Sequence, residues 1–260
     1  MIQDLKIPQP IIGLGHSMGG GCIAYAAMLH PSVFTALVCL DPVLHKSFGK
    51  GPQHNPIAIA SAKRLDIWKS QEDAEKYFRS RKFYKTWDER AIQAMLKYGL
   101  RPLPTFIYPD IKEGVTLSTT KHQEVFTYMK PCDKNDEVVG TDDGTIVGLR
   151  NFEPEIVYQG LKDLKIPVQY IFGSESNINT PDGLEAKING TPNRIWENVE
   201  GWGHLFPFEH MKETADKVVP FLDAQMKDYR KKRQIAETSF KNVRLGNEYL
   251  RYLNPKKSNL

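Results

Sequence analysis

Cysteine is scarce in this 260-residue chain: Cys22, Cys39 and Cys132 are scattered and show no C-x-x-C spacing. An odd, unspaced set excludes a disulfide framework, and the three read as reduced thiols of an intracellular protein. His and Cys form no cluster at ligand spacing, so no metal is expected. Long apolar runs are missing too. No stretch approaches the roughly 18 uncharged apolar residues that a membrane span needs. The opening residues, MIQDLKIPQP, lack the charged-then-apolar layout of a secretory signal. Gly13-Leu14-Gly15 is not followed by the third glycine and acid of a dinucleotide site, so no cofactor is expected. A uniform excess of charge is also absent. The net charge of +4 comes from 227–260, where ten Lys or Arg meet three Asp or Glu. No nucleic-acid-binding motif accompanies that stretch, which reads as a solvated helix face and not as a nucleic-acid surface.

What the chain does have is a glycine-framed serine. Residues 13–20 read Gly-Leu-Gly-His-Ser-Met-Gly-Gly, directly after the apolar Pro10-Ile11-Ile12. Gly15-His16-Ser17-Met18-Gly19 is a G-x-S-x-G pentapeptide between a strand at 8–16 and a small-residue helix at 18–30, the setting of a nucleophile elbow. Side chains at positions 15 and 19 are expected to collide with the neighbouring strand and helix. The turn should hold Ser17 strained, with its hydroxyl at the helix N-terminus. The backbone amide of Met18 is then the candidate oxyanion donor. Among seven histidines, His204 alone stands correctly in the order Ser…acid…His, in the loop Gly201-Trp202-Gly203-His204. It is the candidate general base. His16 reads as a packing residue and His210 as a helical residue pointing away. Serine at the elbow argues for acyl transfer to water, through an ester, thioester or amide.

Around these residues the pattern is α/β. A second strand at 35–40 ends in Asp41-Pro42 and completes a βαβ unit in a parallel sheet. Alternation resumes with strands at 167–172 and 194–199, a helix at 182–188 and a long helix at 207–233, with a further helix at 236–253. Residues 1–43 and 160–235 thus read as the core, and 236–260 as a basic tail. The stretch 44–159 is too long for a loop and reads as an inserted, mostly helical lid. It has helices at 57–68, 72–79, 87–97 and 119–129, a turn at 142–144 and a β-leaning 145–147. Its aromatics Phe78, Phe83, Tyr84, Trp87, Phe106, Tyr108, Phe126 and Tyr128 either wall an acyl pocket or form the insertion's own core.

The elbow GHSMGG and the later G-x-G-H-x-x-P-x-E (Gly201 to Glu209) together resemble the α/β-hydrolase superfamily, from about residue 8 to residue 225. The resemblance implies an α/β-hydrolase fold with a mostly parallel sheet, a Ser-His-acid triad and a small-molecule acyl substrate. In the family the acid most often follows the strand at 167–172 as Gly-x-x-Asp, but here that place reads Gly173-Ser174-Glu175-Ser176. The other family location is the end of the strand after the elbow helix, which Asp41 occupies. Asp41 is favoured, with Glu175 as the alternative acid. The family's elbow also follows several N-terminal strands, one of whose loops gives a second oxyanion donor. About ten residues precede the elbow strand here, so the sheet is expected to be N-terminally incomplete, as in a truncated gene model, with the strand at 10–14 as an open edge. This leaves a second class in play: a catalytically silent fragment serving as a binding or scaffold protein.

The chain ends Ser258-Asn259-Leu260, similar to the Ser-Lys-Leu peroxisomal address and preceded by Lys256-Lys257. The elbow, insertion and basic tail together resemble fungal peroxisomal lipases and related toxin-biosynthesis hydrolases. That resemblance implies a carboxylic ester hydrolase of the peroxisomal matrix, carried there by an import receptor that reads the last three residues. A tail that is plain disorder would leave it cytoplasmic.

Overall fold

Alternation of apolar side chains sets the layers. In chain order the elements are β1 (Ile12–His16), α1 (Met18–Leu29), β2 (Ala36–Leu40), α2 (Pro56–Lys63), β3 (Ile67–Trp68), α3 (Gln71–Ser80), α4 (Glu89–Tyr98), β4 (Leu100–Pro102), β5 (Val115–Leu117), α5 (Lys121–Tyr128), α6 (Glu153–Gly160), β6 (Val168–Gly173), α7 (Pro181–Gly190), β7 (Arg194–Val199), α8 (Phe206–Glu209) and α9 (Met211–Lys241). The computed structural model describes residues 5–46, 56–128 and 153–241. Cys132, the turn at 142–144, the segment 145–147 and the tripeptide Ser258-Asn259-Leu260 lie outside them.

The main sheet has the order β1-β2-β6-β7, and every pair is parallel. β2 and β6 are buried along their whole length, as continuous apolar runs in a parallel sheet should be. Leu37, Cys39, Val168, Tyr170 and Phe172 face one side, where Ala24 and Ala27 of α1 and Val157 of α6 pack. Ala36, Val38, Leu40 and Ile171 face the other, against Phe206, Val218 and Phe221 of α8 and α9. Burial pushes the Cys39 thiol up to about 12, so it stays protonated, whereas Cys22 is exposed. β1 stands at the sheet's edge, with Leu14 54% exposed.

The region between β2 and α6 departs from a purely helical insertion. Residues 57–68 do not form one helix: α2 ends at Lys63, and Ile67–Trp68 is a strand. β3, β5 and β4 form an antiparallel sheet that buries Trp68, Leu100 and Leu117 against Ala74, Phe78, Ile92 and Leu96. The buried carboxylate of Asp66 draws the chain out of the helix, accepting from Tyr108 and pairing with Lys121. Phe78, Tyr84 and Trp87 join this second core, whereas Phe83, Phe106 and Phe126 are exposed. Local signals place the helices here: the Ser70 hydroxyl caps α3 by accepting from the Asp73 N–H, and Asp88 caps α4 by accepting from the Arg90 N–H.

The C-terminal half carries two further corrections. The helix expected at 207–233 is broken at His210, which closes α8 and stacks on Trp202 instead of pointing away. α9 then runs on to Lys241 and absorbs the start of the helix expected at 236–253.

Removing Phe172, which is wholly buried between β6 and α1, should cost about 3–5 kcal/mol as Phe172→Ala. Trp196→Ala, at a half-exposed position on β7, should cost less than about 1 kcal/mol. The midpoints of urea unfolding curves measure both.

Candidate active site

Parallel strands bring their carboxyl ends together, and ligands of open α/β sheets bind there. Ser17 follows β1, Asp41 follows β2, the Gly173–Ser176 turn follows β6, and His204 lies in the loop after β7. Ser17 adopts φ 56° and ψ −123°, a positive φ that L-residues rarely hold. Three backbone bonds pin it. Its N–H donates to Leu40 O at 2.9 Å, and its carbonyl accepts from the N–H groups of Gly20 and Val43 at 3.1 and 2.9 Å. Asp41 also has positive φ, 45°, and its N–H donates to Ile171 O. Both residues are set by backbone that the sheet over-determines.

The glycines divide the steric work differently from the sequence expectation. A Cβ at Gly15 would lie 2.4 Å from the Gly19 carbonyl oxygen, so position 15 admits no side chain. At Gly19 a Cβ would meet nothing within 4 Å, which corrects the collision expected there. The crowded partner is Gly20, where a Cβ would come within 2.8 Å of the Pro42 side chain.

His204 Nε2 lies 2.9 Å from Ser17 Oγ, and His204 Nδ1 lies 2.6 Å from Asp41 Oδ2. A carboxylate only accepts, so the proton sits on Nδ1 and leaves Nε2 to accept from the serine hydroxyl. Asp41 has no exposed surface. Its Oδ2 also accepts from the Ser176 hydroxyl, and its Oδ1 accepts from Asn179 Nδ2. The alternative acid, Glu175, is not brought to the histidine: its side chain is exposed, and its N–H donates to Trp202 O. Met18 opens α1 directly beside Ser17, which puts its amide at the positive end of the helix.

Two contacts hold the histidine loop. His16, at the end of β1, donates Nε2–H to the His204 carbonyl at 2.8 Å, and the two rings lie 4.8 Å apart. Burial pushes His16 below the usual histidine range, which keeps it a neutral donor. From the other side Trp87 stacks on Phe208 at 4.6 Å, the Asp88 N–H donates to Phe208 O at 2.8 Å, and the Thr86 hydroxyl donates to Glu209. Sequence reasoning did not find Ser176, Asn179 or this clasp. The serine standing where the family usually has its aspartate was the available signal for Ser176.

Residues 1–211 match the alpha/beta hydrolase fold family. The chain belongs to it. It is 29% identical to the type I acyl-CoA thioesterase mpaH of Penicillium roqueforti over 268 aligned residues, covering 86% of this chain and 61% of that protein. The chain thus spans about three fifths of that thioesterase's length. Against the abhydrolase domain-containing protein ACTT2-1 of Alternaria alternata it is 28% identical, over 83% of this chain and 84% of that protein. The peroxisomal alpha-beta-hydrolase Lpx1 of Saccharomyces cerevisiae superposes with a TM-score of 0.64 at 16% identity, covering 93% of this chain and 65% of that one. That likeness concerns the fold alone.

Gly15→Ala should destabilise the protein by about 1–3 kcal/mol or more, because backbone rather than a movable side chain meets the added methyl. Gly19→Ala should be neutral or stabilising by at most about 1 kcal/mol. A reversal of that ranking in thermal unfolding would place the steric constraint at Gly19.

Proposed function

We propose that the chain carries the machinery of a serine hydrolase that cleaves a carboxylic ester bond, oxygen ester or thioester, in a small acyl substrate. The observation behind this reading is the unbroken line of hydrogen bonds from the Ser17 hydroxyl through His204 to the buried Asp41 carboxylate. In this reading Ser17 Oγ attacks the acyl carbonyl carbon while its proton passes to His204 Nε2. Asp41 holds the imidazole tautomer and stabilises the imidazolium. The Met18 amide takes the oxyanion of the tetrahedral intermediate. Collapse expels the alcohol or thiol with the histidine's proton, and water then releases the acid by the same steps in reverse. Relatives named as a thioesterase and as abhydrolase domain-containing proteins support the hydrolytic class.

A fluorophosphonate probe should label the folded chain at Ser17, and Ser17→Ala should abolish the label. Absence of label on the folded chain would instead favour the silent binding or scaffold protein. Asp41→Asn should lower turnover by up to about 10⁴ with the fold intact, as neutralising a triad carboxylate does. Glu175→Gln should be mild, and the opposite ranking would move the acid to Glu175.

We place the protein in the peroxisomal matrix through Ser258-Asn259-Leu260. The basic residues before the tripeptide support this. A fluorescent protein carrying the last twelve residues should enter peroxisomes weakly, and Asn259→Lys should strengthen entry by restoring the usual basic residue. A diffuse signal unchanged by Asn259→Lys would place the protein in the cytosol.

A further inference from the structure

One cation in the core has no part in the mechanism above. Lys187, on α7, is 1% exposed. A buried ammonium is costly unless it is hydrogen-bonded and faces an opposite charge. Both of the Nζ hydrogen bonds found among the described residues lead toward Asp41. Nζ donates at 2.6 Å to Asn179 Oδ1, and Asn179 donates through Nδ2 to Asp41 Oδ1. Nζ also donates at 3.2 Å to the carbonyl of Pro42, the residue after Asp41. The lysine therefore grips the acid twice, once through its carboxylate and once through its backbone, at a residue held at φ 45°.

We propose that Lys187 is a positioning residue for the Ser17–His204–Asp41 system: it fixes the Asp41 carboxylate through Asn179 and offsets part of its charge, and so weakens the pull of that carboxylate on a proton at the imidazole. The proposal rests on the triad reading above. A buried carboxylate with the imidazole as its sole cationic partner would favour the imidazolium, a form unable to accept the serine proton. A second cation behind the carboxylate weakens that pull while leaving the hydrogen bond to Nδ1 in place.

The groups facing Lys187 agree with this role. Asp41 faces it from the end of β2, and its charge favours the ammonium. His45, further along the same segment, is held below the usual histidine range, first by burial and then by the Lys187 charge, and so adds no second cation. From β6 the Phe172 ring lies 5.9 Å from Nζ. Tyr170 bonds Thr191, which donates to the Lys187 carbonyl, and burial pushes the phenol up, so it stays neutral. Burial pushes Lys187 itself down to about 8. The ammonium is therefore charged throughout the acid and neutral range in which a serine–histidine pair becomes active.

The test is the rate of fluorophosphonate labelling of Ser17 against pH, in the full chain and in two variants. Lys187→Met removes charge and donor. Removing one partner from a buried charged network is costly, but Asp41 keeps its donors Ser176, Asn179 and His204, so this variant should fold with lowered stability. Lys187→Gln keeps a polar donor but no charge. Both should move the acid limb of the labelling profile up by roughly one pH unit, the scale of a unit charge acting through a partly screened protein interior. Lys187→Met should also lower the maximum rate, with Lys187→Gln keeping more of it. Unshifted or downward-shifted limbs in folded variants would overturn the proposal and leave the triad standing. Variants that do not fold would make Lys187 structural and overturn it too. A folded, unaltered chain that takes no label would remove the triad reading and this proposal together.

Discussion

Burying the Asp41 carboxylate completely at the end of β2 sets the terms for everything around it. An ion taken out of water loses several kcal/mol of solvation, recovered only if its lone pairs meet donors of good geometry. Three side chains from two separate loops meet this demand: Ser176 and Asn179 between β6 and α7, and His204 after β7. Satisfying one carboxylate thus ties together loops that the sequence keeps far apart. The histidine arrives at the serine because the acid requires it on the other side.

The same requirement explains an exchange of positions. The turn after β6, where the wider family usually has its aspartate, here carries Ser176, which donates to an acid supplied by β2. Glu175 stands beside it and faces solvent. At this corner the carboxylate stands at the end of one strand and its hydroxyl donor after the next.

The parts of the molecule legible in the sequence were those whose signals are local. The elbow, the strands read at 35–40 and 194–199 and the helices read at 72–79 and 87–97 each depend on residues within a few positions of one another. Two kinds of feature were not legible. β3 is two residues long and exists because Trp68 pairs with Val115, far along the chain, so no window around 67–68 reveals it. Lys187 sits in PDGLEAKING, which reads as an ordinary solvated helix, and its burial follows from Asn179 and Pro42 reaching it in space. The steric role given to Gly19 belongs to Gly20 for the same reason: Pro42, the neighbour that decides it, lies across the turn.

The register of β1 against β2 has a mechanical consequence. His16 lies directly across from Leu40, so Ser17 and Asp41 leave adjacent strands at the same level. Their separation is fixed by one inter-strand spacing, about 4.8 Å, which a ladder of backbone bonds makes one of the stiffest lengths in a protein. An acid placed after β6 would sit two strands from the serine and feel the accumulated twist of both steps. Here, shear or twisting further out in the sheet moves the Ser17 hydroxyl and the Asp41 carboxylate as one body, and the histidine loop alone must absorb the difference.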